Sequence, residues 1–192
     1  PLRCTGWSLR FYDRYHVVRG ENMKLDFGCG PNKREGFEGV DIHPFPGVDH
    51  VLDLRGVWPW ADESIEEGHA SHFIEHLEAG ERVHFFNELY RVLVPGGKCQ
   101  IITPHWASNR AYGDMTHKWP PVSEMFYYYL LKEWREANAP HVPLTCDFDA
   151  TWGYTMHPEI TIRNQEYQQF SLNFYKEAAQ DIVATITKRS IK

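Results

Sequence analysis

Three groups of residues in this chain have types and spacings suited to chemistry. The first is Asp26-Phe27-Gly28-Cys29-Gly30, followed eleven residues after Gly30 by Asp41. Met23, Leu25 and Phe27 alternate with polar residues before the glycines, so a strand is expected to break into a tight loop. Glycines there allow backbone angles that other residues resist and let a ligand approach the main chain closely. Gly39-Val40-Asp41-Ile42 reads as a second short strand carrying an acid. A strand, a glycine loop and an acid at the tip of the next strand is the layout that holds a nucleoside cofactor, with the carboxylate accepting hydrogen bonds from ribose hydroxyls. The second group is His72-Phe73-Ile74-Glu75-His76, which spells a zinc-enzyme pattern and has His69 nearby. The third lies further on: Thr103-Pro104-His105-Trp106 and Asp114-Met115-Thr116-His117.

A nicotinamide or flavin fingerprint needs a third glycine where this chain has Lys33, which speaks against a dinucleotide enzyme. No Gly-Lys-Ser/Thr phosphate loop is present either. The 192 residues suit one domain with a sizeable core, and 42% hydrophobic with 24% charged residues describes a folded globular chain. A net charge of −6 argues against duplex DNA or RNA as the main partner, because phosphate neutralisation needs clustered Lys and Arg. No apolar run approaches the length of a membrane span. Pro1 to Gly6 has no apolar signal core. The four cysteines are far apart, so a zinc knuckle or disulfide framework is not indicated. A reduced, cytoplasmic protein is the expectation.

Four segments, in order, resemble the class I S-adenosylmethionine-dependent methyltransferases, in the small bacterial branch related to the ubiquinone-biosynthesis-type enzymes. They are Leu25 to Pro31, Gly39 to Ile42, Ser71 to Leu77, and Leu89 to Lys98 with its Pro95-Gly96-Gly97 turn. The resemblance covers residues 23 to 106. It implies an α/β, Rossmann-like fold: a seven-stranded, mostly parallel sheet with helices on both faces, in one domain with an aromatic-rich insertion after strand five. S-adenosylmethionine is the implied cofactor. Carried over residue by residue, the implied contacts are Asp26, Gly28, Cys29 and Gly30 of the loop, Asp41 and Ile42 after strand two, Asp53 and Leu54 at the adenine end, and His72. Cys29 reads as a small packed residue rather than a nucleophile. The resemblance also sets His72 in the turn after strand four and His76 in a helix, on different faces. No metal is therefore expected, and His76 is expected to be structural.

Asp114-Met115-Thr116-His117 resembles an Asp-Pro-Thr-His segment that leads into the acceptor side in relatives, with Met115 in place of the proline. Methyl transfer from a sulfonium chiefly requires alignment of the acceptor and, for a hydroxyl or ammonium, removal of a proton. Histidine titrates in the range for that task. His105, Asp114 and His117 are thus the catalytic candidates, with loop-fixing as the alternative role of the histidines. The Asp/Asn-Pro-Pro-aromatic motif of amino-group DNA methyltransferases is absent after strand four, as is the Pro-Cys of cytosine C5 enzymes. The expected acceptor is oxygen or nitrogen of a small molecule or a glycan. The rival reading is a catalytically weak, methyltransferase-like binding or scaffold subunit.

Residues 1 to 22 read as an N-terminal extension, either non-native sequence or a short helix near Leu9 to Val18, ahead of a methyltransferase domain over 23–192. Residues 31 to 38 are too short for a full crossover helix. Strand three is expected over Val48 to Leu54. Strand four, near Ile65 to Ser71, is expected to be short or loose because Glu66-Glu67-Gly68-His69 is poor strand material. A helix over Glu81 to Leu93 and a strand over Lys98 to Thr103 follow. Within the variable region 104–160, Ser123 can cap a helix running to Asn138. Residues 141 to 160 read as irregular, with a turn at Trp152-Gly153. A helix over Gln165 to Phe174 and a last strand over Asp181 to Thr187 close the chain. Trp106, Tyr112, Trp119, Tyr127, Tyr128, Trp134 and Trp152 could stack on an acceptor, half or more of them being expected in the core.

Overall fold

A computed structural model describes residues 23–190. The extension expected over 1 to 22 lies outside them. Seven strands form one sheet in the order β3-β2-β1-β4-β5-β7-β6. They are β1 (Met23–Phe27), β2 (Glu38–Asp41), β3 (His50–Val51), β4 (Ile65–Ser71), β5 (Leu93–Pro104), β6 (Phe148–Met156) and β7 (Ala179–Lys188). The pairs β1–β2, β1–β4, β2–β3 and β4–β5 are parallel, while β7 runs antiparallel to both β5 and β6. The chain order reverses between β1 and β4. In an open sheet of this kind the crevice beyond the carboxyl ends of the strands at that reversal is the place for a ligand.

The connection from β1 to β2 is loop and turn without a helix, as its length dictates. A single 3-10 turn (Ile74–His76) follows β4 and leads into α1 (Ala79–Val92). Phe85, Phe86 and Leu89 of α1 are fully buried against the sheet. Each contributes about 1.5–3 kcal/mol by leaving water. Phe85 packs edge-on to Phe27 of β1 at 5.6 Å and to Trp58 at 5.4 Å, which ties helix, strand and the 52–64 loop together. α1 passes directly into β5. Pro95-Gly96-Gly97 therefore stands inside an irregular stretch of that strand, where β5 advances from Leu93 to Lys98 while β4 advances from Ile65 to Glu67.

Four expectations are corrected. Strand four is neither short nor loose: six of its seven residues pair with β1, β5 or both, and only Glu66, at a shift of register, does not. Its polar residues find partners across the sheet, Glu67 with Lys24 Nζ at 2.6 Å and His69 with Asp26 at 2.7 Å. Gly68 admits Cys99 and Phe27 so closely that a Cβ there would stand 2.8 Å from Cys99 Sγ. Strand three shrinks to His50–Val51: the Leu52 N–H still donates to the Asp41 carbonyl at 2.9 Å, and no pairing with β2 continues past it.

The helix expected from Ser123 to Asn138 is two, α3 (Glu124–Tyr128) and α4 (Lys132–Asn138), with α2 (Arg110–Gly113) before them. The break falls at extended Leu131, where Asp147 Oδ1 accepts from the Lys132 N–H and Arg135 donates to the carbonyls of Tyr129 and Cys146. Residues 148–156 are not irregular but form β6, with Trp152 and Gly153 in mid-strand opposite Ala184 and Val183. Among the described residues β6 pairs with β7 alone, and an edge strand needs no apolar run on both faces. α5 (Pro158–Thr161) and α6 (Gln165–Phe174) complete the chain before β7.

Candidate functional site

At the carboxyl ends of β1, β2, β3 and β4 lies a cleft of about 470 Å³. Each strand contributes the residues that follow it. After β1, Gly28 has φ +65°, and an ideal Cβ there would stand 2.2 Å from Cδ2 of Phe73. Only glycine allows the loop to turn this way beneath Phe73. Asp41 ends β2 and faces the cleft, followed by Ile42, His43 and Phe45. Its Oδ2 accepts from the Gly30 N–H at 2.9 Å and its Oδ1 from the His43 N–H at 2.9 Å. The acid thus holds the glycine loop in place. Each oxygen has a second lone-pair site left over, since a carboxylate offers about four.

After β3 come Leu52, Asp53 and Leu54. Arg55 grips Asp53 through Nε and Nη2, both at 2.8 Å, and holds its carboxyl below the usual carboxylate range. The indole N–H of buried Trp58 donates to the Leu54 carbonyl at 2.9 Å, which sets the bend that turns Leu54 inward. After β4 come His72, Phe73, His76 and Leu77. His72 has φ +54° and sits with Nδ1 3.3 Å from Glu75 Oε1. The Glu75 carboxylate raises its pKa above the ordinary histidine value.

Of the nine residues expected to hold a cofactor, Gly28, Asp41, Ile42, Asp53, Leu54 and His72 line this cleft. Asp26, Cys29 and Gly30 stand behind it. Asp26 Oδ2 accepts from the Arg34 N–H at 2.8 Å, so it fixes the far side of the loop. Burial, with Asp26 and Asp41 beside it, pushes the Cys29 thiol up to about 11, and it stays a thiol at neutral pH. Sequence reasoning passed over Arg55, Phe73 and His43. Phe73 could have been found from its place directly after His72 in the turn that must cover the glycine loop.

None of the three catalytic candidates lines the cleft. His105 is buried, and both its nitrogens are engaged. Nδ1 accepts from the Ala107 N–H at 3.2 Å, so Nε2 carries the proton and donates to Glu124 Oε1 at 3.0 Å. An imidazole so held has no lone pair for an acceptor's proton. Asp114 Oδ1 accepts from both the N–H and the O–H of Thr116, at 2.8 and 2.6 Å, in an exposed turn. His117 is half-buried, edge-on to His76 with ring centroids 4.8 Å apart. Of the seven aromatics considered for stacking, Tyr127, Tyr128, Trp134 and Trp152 pack on one another, whereas Trp106, Tyr112 and Trp119 are exposed.

Solved structures share this architecture. A S-adenosylmethionine-dependent methyltransferase from Archaeoglobus fulgidus superposes with a TM-score of 0.60 over 91% of this chain and 88% of its own, at 22% identity. One from Methanosarcina mazei gives 0.55 over 92% and 97%, at 13% identity. The fold is that of the S-adenosylmethionine-dependent methyltransferases. A third neighbour, 1,6-didemethyltoxoflavin-N1-methyltransferase of Burkholderia thailandensis with bound 1,6-didemethyltoxoflavin and S-adenosylhomocysteine, gives 0.54 over 88% and 71%, at 12% identity. No family model and no curated protein matches the sequence.

Proposed function

We propose that this chain is a S-adenosylmethionine-dependent methyltransferase acting on oxygen or nitrogen of a small molecule or a glycan. One observation carries the reading: Asp41, in a methyltransferase fold, stands at the tip of β2 with lone pairs left to face the cleft while it braces the glycine loop. The cleft suits the cofactor. Its volume falls in the range of small-ligand sites. Gly28 brings main chain to the ligand's middle, Asp41 accepts from the ribose hydroxyls, and Ile42 and Leu54 offer apolar flanks to the adenine, with Asp53 beside them for its amino group.

When bound, the cofactor supplies a methyl group already activated on a sulfonium. The chain's own work is then to hold both partners in line and keep water away. Phe73 and Leu77 provide apolar cover at the β4 side. Exposed Trp106 and Tyr112 border a second cleft of about 440 Å³ with Phe174 and Tyr175, and such aromatic faces stack on sugars and planar rings. That favours a glycan or ring-bearing acceptor. The net charge of −6 argues against duplex nucleic acid.

Calorimetric titration with S-adenosylmethionine and S-adenosylhomocysteine tests the reading. Micromolar binding by the native chain, weakened tenfold or more in Asp41→Asn, is expected. If neither compound binds, the enzyme reading fails and a scaffold function takes its place.

A further inference from the structure

We propose that Glu75, His76 and His117 form a binding site for one divalent transition-metal ion, of the zinc or cobalt kind, at the edge of the cleft. One donor atom from each residue lies within 4.8 Å of the other two. The zinc-like letters of the sequence are therefore half right. Glu75 and His76 take part, but the third ligand comes from the loop after α2, and His72 faces the cleft instead.

Glu75 is a buried acid with one close cationic neighbour, His72, whose Nδ1 lies 3.3 Å from Oε1. Glu75 is only 4% exposed, and neither carboxylate oxygen has a hydrogen-bond partner among the described residues. Buried carboxylates are ordinarily paired, hydrogen-bonded or bound to metal. The half-exposed His72 meets Oε1 alone, which leaves Oε2 buried with no partner among the described residues. The other neighbouring cation, Arg82, spends its guanidinium on main-chain carbonyls: those of Ile74, Leu77, Lys118 and Pro120, at 2.8–3.2 Å. Arg82 thereby clamps the 118–120 segment against the turn that carries Glu75 and His76. The Lys118 N–H completes that clamp, donating to the Glu75 carbonyl at 2.8 Å. His117 is brought to the cluster by this bracing and not by local sequence.

In both imidazoles Nδ1 has a hydrogen-bond partner, as the second nitrogen of a metal-bound histidine does. Thr116 gives its hydroxyl proton to Asp114, so at 3.0 Å its oxygen accepts from His76 Nδ1–H. His117 Nδ1–H donates to the Ala111 carbonyl at 3.1 Å. Both rings are thus fixed in the tautomer that leaves Nε2 bare. Metal-bound histidines almost always give their other N–H to a carbonyl, a carboxylate or its relay in this way. Two imidazoles and one carboxylate suit zinc, cobalt or iron(II) rather than magnesium, which prefers oxygen ligands. Ligand atoms around zinc at about 2.1 Å stand roughly 3.4 Å apart, so the three side chains close in by rotation when the ion binds.

The site stands on this geometry alone; its role rests on the methyltransferase reading. His76 lines the cleft, so the ion borders it. As a Lewis acid it makes a hydroxyl bound to it more acidic, the proton passing to solvent. That task has no other provider in His105, whose nitrogens are both engaged.

The full chain, stripped of metal with chelator, is titrated with Co²⁺ and then Zn²⁺ by visible absorption and calorimetry. One equivalent is expected, with the visible bands of low-coordinate cobalt. Affinity should fall tenfold or more in Glu75→Gln and His117→Ala, and stay unchanged in His141→Ala, an exposed histidine elsewhere. Circular dichroism checks folding, and half-buried His117→Ala decides alone if Glu75→Gln does not fold. No stoichiometric uptake, or equal affinity in His117→Ala, overturns the site. Titrating the metal-free native chain with S-adenosylhomocysteine separates the two readings. Its binding without metal uptake sinks the metal site only; metal uptake without it removes the role and leaves the site.

Discussion

The ring of Phe73 fills the space that a Cβ on Gly28 would need, with Cδ2 only 2.2 Å from that position. Loop and cover are therefore built as one piece. Replacing Gly28 by Ala forces either the ring or the loop to move, and φ +65° strains any side chain besides. Overpacking and backbone strain together cost on the order of 2–4 kcal/mol. Urea unfolding should register that loss. Calorimetry should register loss of S-adenosylhomocysteine binding as well, and Phe73→Leu in the same chain should restore part of both. A Gly28→Ala protein with native stability and affinity would show that the ring and loop are not coupled.

Acid should loosen the packing of α3 on β6 and on the segment after β5 through Glu124. His105 Nε2, and then Tyr154 O–H, donate to Glu124 Oε1 at 3.0 and 2.9 Å. The His105 hydrogen bond is the largest cause of a carboxyl pKa lowered from 4.5 to about 2. A depressed folded pKa means that the unfolded chain takes up the proton first. The stability from this group is present above about 4.5 and is lost as pH falls toward 2. Asp49, Asp53 and Asp114 are lowered as well and titrate in the same direction. The comparison is therefore native chain against Glu124→Gln. Urea midpoints of the two should differ most near neutral pH and converge by about pH 2–3. A gap that persists undiminished at the acid end would rule out this linkage.

What was legible in the sequence follows from how local each signal is. Gly28, Gly30 and Asp41 sit within fourteen residues of one another, and a strand–loop–strand pattern needs no distant partner to be read. Leu54 and His72 followed because motifs bracket them. β4 was misjudged because Glu67 and His69 are satisfied by Lys24 and Asp26, forty-three residues earlier in each case. The alternation rule sees polar residues but not their cross-strand partners. β6 was hidden for a related reason: it is an edge strand with one neighbour, and Trp152-Gly153 resembles a turn unless β7 is known to lie beside it. The meeting of His117 with His76 was out of reach altogether. It depends on Arg82 reaching Lys118 and Pro120, thirty-six and thirty-eight residues away. His105 showed the right chemistry, but it lies outside the cleft lining, and one backbone N–H and one carboxylate use both its nitrogens.

Asp26 should govern cofactor affinity without touching the cofactor. It is buried in β1 behind the loop, with Oδ2 accepting from the Arg34 N–H at 2.8 Å and Oδ1 2.7 Å from His69 Nδ1 on β4. One carboxylate thus ties the end of the glycine loop to the central strand pair. Asp26→Asn keeps the shape, but its NH₂ must face either the Arg34 N–H, where a bond is lost, or His69, which accepts it only by changing tautomer, so the anchor is weakened either way. A buried donor left without its partner costs about 1–3 kcal/mol. S-adenosylhomocysteine affinity should fall about tenfold because the loop is less well held. His69→Ala removes only the strand-side anchor and should cost stability with a smaller loss of affinity. The double substitution should be less harmful than the sum, since directly bonded groups couple by roughly 0.5–3 kcal/mol. Strict additivity in urea unfolding would mean that Asp26 and His69 act separately, and an unchanged affinity in Asp26→Asn would free the loop from its strand anchor.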